Sequence, residues 1–269
     1  RWSALLSSLT SSIPFSLAEW LLIILGAGAL CSIAFFIRGC VRRGRDCLPY
    51  AGSRLLGAGA LLSVILFLFT ISSGLNYYRR PFLYYSGLEI RPSQVSELTG
   101  LCMELAEQAN YLRQGRAEDE SGVFVLSKPF EELGRAGAGG YAALMEGNPQ
   151  WSELFPVSAA TTPKAVVFSE AMSYMQIVGV FFPFTMEANV NVHTSDIDIP
   201  FSICHELAHI SGMMREDEAN YLGYLACMAS DDPDLWYSGT VIALIHAANA
   251  LYGHDSDAHA QVMAALDEG

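Results

Sequence analysis

Cys204-His205-Glu206-Leu207-Ala208-His209-Ile210-Ser211-Gly212, followed at once by Glu216-Asp217-Glu218-Ala219-Asn220, is the stretch on which the reading of this chain turns. Residues four apart on a helix share a face, so His205 and His209 would present two imidazoles to one metal ion. Glu206 stands beside them as the group to take a proton from water. Zn²⁺ held by two imidazoles needs a third protein ligand and an open fourth position. The surroundings favour a helix: Asp198 can cap it, Pro200 suits its first turn and Gly212 is a natural stop. The competing reading is a buried helix whose histidines are satisfied by core hydrogen bonds.

The third ligand is expected from the acidic run after the turn. Glu216 and Asn220 are four apart, so a Glu216 that binds metal from a second helix places Asn220 on the same face, where it can hold a ligand imidazole through its other ring nitrogen. Glu216 is favoured and Glu218 remains an alternative. The Glu-x-x-Ala-Asn spacing resembles the glutamate helix of gluzincin metallopeptidases. It departs from them in the short gap after His209, and Arg215 sits where metzincins place a third histidine.

Charge divides the chain. Residues 1–80 carry eight Lys/Arg and two Asp/Glu, net +6, leaving seven and twenty-six, net −19, for the rest. The acidic part lacks the basic face that phosphate neutralisation requires, so no nucleic-acid partner is expected. Six cysteines without a CxxC pair imply no disulfide framework. A Cys204–Cys227 bridge is conceivable, and Cys204 itself reads as a packing residue.

Arg1 stands where an initiator Met would, which suggests a segment ahead of it. Residues 1–16 read as an interfacial segment rich in Ser, Leu and aromatics. Leu17 to Ile37 and Leu55 to Leu75 are each long and apolar enough to cross a bilayer, and Arg38, Arg42, Arg43 and Arg45 crowd the loop between them. Residues 17–75 therefore read as a two-helix membrane anchor with a cytoplasmic basic loop, and 76–269 as an extracytoplasmic domain. Within that domain a helix is expected from Ser93 to about Gln114, and another from Phe130 to Met145 broken by its glycines. A turn follows over Trp151 to Phe155. Short strands are expected at Lys164–Phe168, Ile177–Phe184 and Thr185–Val192. The last of these is a candidate edge for pairing with extended peptide, with Glu187, Asn189 and Asn191 facing a cleft. A final helix runs from about Asp234 to Tyr252, and the tail with His254 and His259 reads as solvated. His193 is a lone loop histidine.

Two apolar spans around a basic loop, Gly74-Leu75-Asn76-Tyr77-Tyr78-Arg79 at the exit, Pro183-Phe184 before Glu187-Ala188-Asn189-Val190-Asn191, and the HELAH helix running into Arg215-Glu216-Asp217-Glu218-Ala219-Asn220 together resemble a bacterial membrane family catalogued as domain of unknown function 3810. The resemblance covers about Phe15 to Tyr252. It implies a membrane-anchored, zincin-like protein and a further hydrophobic segment ahead of Arg1. The expectation is thus an α+β protein of the cell membrane, multi-pass, with a mainly helical zincin-like domain and a small sheet. The expected activity is hydrolysis of a peptide or protein substrate with Zn²⁺ on His205, His209 and Glu216, Glu206 as base, and Tyr237 or His246 as oxyanion donor. The competing expectation is a non-catalytic, membrane-tethered binding or sensor protein with a structural zinc site.

Overall fold

Runs of apolar residues without charge favour helices, and the first third of the chain is built from them. The computed structural model describes residues 2–151 and 160–267. Helix α1 spans Trp2–Ser11 and α2 spans Leu17–Arg43, opened by the Ser16 hydroxyl accepting from the Glu19 N–H. Gly44, at φ +52°, ends α2, and a 3₁₀ turn over Gly44–Asp46 leads into α3, Cys47–Ser72. Beyond the turn the chain doubles back. The Tyr50 ring stacks on Phe36 with centroids 6.1 Å apart, under the Arg43 guanidinium at 4.1 Å, and fills the space left by the missing side chain of Gly39. By length and composition this forms one apolar helical stretch, Leu17–Ser72, of 56 residues, whose most apolar window is wholly unburied by protein. Two separately established spans are not what the structure supports; it supports one long apolar unit with a turn inside it.

The remaining chain is mainly helical: α4 (Phe82–Ser86), α5 (Val95–Arg113), α6 (Phe130–Gly147), α7 (Ser169–Tyr174), α8 (Asp198–Ile210), α9 (Glu216–Ala229), α10 (Pro233–Tyr252) and α11 (Ser256–Ala264). Helix α5 begins at Val95, two residues after the expected start at Ser93, because Gln94 and Glu97 form the capping box. The glycines of α6 do not break it. Gly134, Gly137 and Gly140 are buried, and a Cβ on Gly140 would run into the Ala226 carbonyl oxygen, so small residues here let α6 press against α9. The tail expected to be solvated folds as α11 instead, and its Val262 is fully buried with α5 and α10. The expected turn after Trp151 lies outside the described residues.

Three short strands, β1 (Lys164–Ala165), β2 (Gly179–Phe182) and β3 (Glu187–Val190), form a sheet of order β1-β3-β2. β1 runs parallel to β3 with Lys164 opposite Asn189. β2 runs antiparallel to β3 with Gly179 opposite Val190. The strand expected at the edge, β3, is therefore central, and β1 and β2 are the edge strands. The main core joins α6, α8, α9 and α10 through Leu133, Tyr141, Ile203, Leu207, Leu222 and Leu235. Each buried Leu or Ile contributes about 1.5–3 kcal/mol relative to exposure, which fixes α8 from three sides.

Candidate metal centre

Helix α8 has one face packed in the core and one turned to a cavity. His205 and His209 lie on the cavity face with ring centroids 4.8 Å apart and Nε2 atoms separated by 3.1 Å. Gly212, at φ +82°, turns the chain at the helix end so that the Met213 carbonyl comes back to His209 Nδ1 at 2.6 Å. That contact favours the proton on Nδ1 and leaves the Nε2 lone pair free for a metal.

Glu216 opens α9. Its Oε2 is 3.2 Å from His205 Nε2 and its Oε1 is 3.7 Å from His209 Nε2. The three ligand atoms lie within 4.8 Å of one another. Atoms about 2.0–2.2 Å from a tetrahedral zinc would be separated by roughly 3.3–3.6 Å, so this donor set fits a metal of that kind. Asn220, four residues after Glu216, lines the same cavity as His205, and its side chain favours the protonated form of that imidazole. Glu218 is directed elsewhere: its carboxylate accepts the Phe82 N–H at 2.8 Å. The choice left open between the two glutamates thus falls on Glu216 as the residue brought to the histidines.

Glu206 is 4% exposed, and its Oε2 has no hydrogen-bond partner. Burial, then the neighbouring Glu216 carboxylate, pushes its carboxyl up to about 8, against the Phe181 N–H, which favours the ionised form. Edge strand β2 lies directly on this carboxyl. A Cβ at Gly179 would sit 2.5 Å from Glu206 Oε1, so the close approach needs glycine. Burial, then the adjoining His209, depresses His205 to about 4, while Glu216 and Asn220 act in the opposite sense. A neutral imidazole at physiological pH is the form that ligates.

These groups line a cavity of about 640 Å³ that also receives His246, β2 and, from the exit of the apolar stretch, Phe69, Ser73 and Tyr77. Of the two expected oxyanion donors, His246 therefore reaches the cavity. Tyr237 does not: its ring packs edge-on against Phe124 and borders a second cavity with Arg113 and His259. Glu187, Asn189 and Asn191 face away from the cleft as well. Glu187 accepts the N–H groups of Leu17 and Ala18, Asn189 accepts the Ser16 hydroxyl, and Asn191 donates to the Ile177 carbonyl. Cys204 and Cys227 are buried free thiols in mutual contact, and His193 is exposed. Gly179 and Phe181 escaped the sequence reading, although an isolated glycine inside a strand pattern signals close approach. No local signal marks Phe69 or Tyr77 as cavity residues.

Fold and site define a mainly helical protein with a small three-stranded sheet, a long apolar N-terminal helical stretch and a His-His-Glu group able to hold a metal ion. The chain belongs to the family described as Protein of unknown function (DUF3810), which matches residues 1–269. No curated protein and no solved structure matches it.

Proposed function

We propose that the protein is a membrane-anchored, zinc-dependent metallopeptidase. The observation that carries this reading is the convergence of His205, His209 and Glu216 beside the buried, unpartnered Oε2 of Glu206. Among the described residues no fourth His, Cys, Asp or Glu joins the group, which favours an open catalytic site over a closed structural one. Zinc, when bound, would lower the pKa of a water to about 7 and polarise a carbonyl oxygen.

The protein's own groups supply the rest. With a cation beside it, Glu206 would favour its ionised form, in which Oε2 accepts a proton from the attacking water as the water oxygen bonds to the peptide carbonyl carbon. The same carboxyl returns that proton to the amide nitrogen as the C–N bond breaks. His246, on the cavity wall, is the donor available to the oxyanion. The outer edge of β2 offers main-chain groups to an extended peptide beside Glu206.

The apolar stretch is read as the anchor. Straight, its 56 residues would span roughly 84 Å at 1.5 Å per residue, against about 30 Å of hydrocarbon. The return of Tyr50 onto Phe36 divides it into two arms, each long enough to cross. On this reading Arg38, Arg42, Arg43 and Arg45 near the turn favour the cytoplasmic side for it, with the metal centre across the bilayer.

The test is Glu206→Gln in purified full chain, with metal content and peptide turnover measured together. Turnover should fall by about 10²–10⁴-fold while metal is retained; undiminished turnover would sink this mechanism. Bound metal without turnover on any peptide, in wild type as well, would favour the binding or sensor reading.

A further inference from the structure

Both ends of the apolar stretch are fastened to the domain that carries the metal group. At the start of α2, Glu187 of β3 accepts the Leu17 and Ala18 N–H groups at 3.1 and 2.8 Å, and Glu19 accepts those of Val167 and Phe168 at 3.1 and 2.7 Å. Past the end of α3, the Arg79 guanidinium donates to the Ser211 carbonyl at 2.7 Å, at the C-terminus of α8 itself, and the Ser73 hydroxyl lies 3.0 Å from the Met214 sulfur. The cavity sits between these fastenings. Its wall includes Phe69, inside the last turn of α3, together with Ser73 and Tyr77 just beyond. One turn of helix is about 5.4 Å, so the metal group opens at the level where the apolar stretch ends.

The surface around this level is apolar on its outer side. Helix α1 has Leu5 and Leu9 56% and 61% exposed on the outer side, beside an exposed Ser8, while Ser7 and Thr10 are buried. Its end is held to the sheet by Lys164, whose ammonium donates to the Ser11 and Ile13 carbonyls. Val167 and Phe168, fixed beside the first turn of α2 by Glu19, are 72% and 56% exposed. Such residues at the root of an apolar helix pair suit a lipid surface.

We propose that the substrate is the juxtamembrane segment of another membrane protein, taken as an extended strand along β2 where it leaves the bilayer. This rests on the peptidase reading above. A peptide rather than a lipid is favoured because the main-chain groups on the edge of β2 other than the Phe181 N–H, which Glu206 engages, match an extended polypeptide.

The test uses full chain in proteoliposomes with three forms of one unstructured casein segment. One is fused directly after a Leu/Ala transmembrane helix, one follows that helix through a semi-rigid helical spacer of roughly thirty residues, about 45 Å long, and one is free in solution. Cut sites are mapped by mass spectrometry, with Glu206→Gln as control. The expected result is cutting within about ten extended residues of the membrane end, at least tenfold faster in the directly fused form than in the spaced or free forms. Equal or faster cutting of the spaced or free segment would overturn the substrate inference and leave the peptidase reading intact. No cutting of any form, with wild type matching Glu206→Gln, would remove the peptidase reading and the inference with it. Photo-crosslinking from position 180 in Glu206→Gln gives a readout without turnover: capture of the directly fused form over the spaced one supports the inference, and equal capture counts against it.

Discussion

Glu216 and Glu218 stand two residues apart in the first turn of α9, one facing the histidines and the other the backbone of α4. Their substitutions should therefore separate. Glu216→Ala should lose metal at little cost in folding, since its side chain is 74% exposed. Glu218→Ala should keep metal yet lose about 1–3 kcal/mol of stability, because it removes a charged acceptor of the Phe82 N–H. Metal analysis and thermal melts on the two variants check this. Glu206 gives a pH signature in the metal-free protein. Its folded-state carboxyl titrates at about 8, above the ordinary 4.5, so the folded state holds that proton more tightly than the unfolded chain. The stability it contributes is complete below about pH 4.5 and is lost as pH rises through about 8. Chelator-treated wild type should lose melting temperature across that window, and Glu206→Gln should lose less.

At the scale of elements, glycines decide how closely α6 approaches α9 and α8. Gly140 faces the Ala226 carbonyl and Gly137 faces Ile203 and Cys204, whereas a Cβ on Gly139 would meet nothing within 4 Å. Gly140→Ala should cost about 1–3 kcal/mol by overpacking, whereas Gly139→Ala should gain about 0.5–1 kcal/mol from helix propensity. Denaturant titrations of the pair measure the difference. The same geometry explains why four glycines in one segment leave a continuous helix: packing against two neighbours outweighs the propensity cost.

At the scale of the whole molecule, the apolar stretch and the metal-bearing domain are joined by buried charge placed at helix ends. Glu187 is 2% exposed, and its carboxylate meets the N-terminus of α2, where unsatisfied N–H groups and the helix dipole favour an anion. Glu187→Ala should weaken this joint, removing charge-assisted hydrogen bonds worth about 1.5–3 kcal/mol. Amide exchange at residues 17–18 should accelerate while metal content stays unchanged, since Glu187 lies outside the metal group. Unaltered exchange there would mean the joint is held by other contacts.

The sequence by itself determined what local spacing encodes. Residues four apart share a helix face wherever the helix sits, so the pair His205 and His209 and the pair Glu216 and Asn220 were each legible, with Glu218 left open beside Glu216, as were the apolar stretch and the helix end at Gly212. Tertiary structure alone decided the rest, because it depends on partners far away in the chain. Met213, Phe82 and Phe181 select the orientations of His209, Glu218 and Glu206. Hydrogen bonds from Ser16, Leu17 and Ala18 hold Glu187 and Asn189 toward α2 and away from the cleft, and β3, flanked by β1 and β2, has no free edge of its own. Tyr237 and His246, nine residues apart on α10, lie on opposite faces by helical period alone, and packing decides which of those faces meets the metal group. Periodicity names the faces of an element; which face meets which neighbour is fixed by long-range packing.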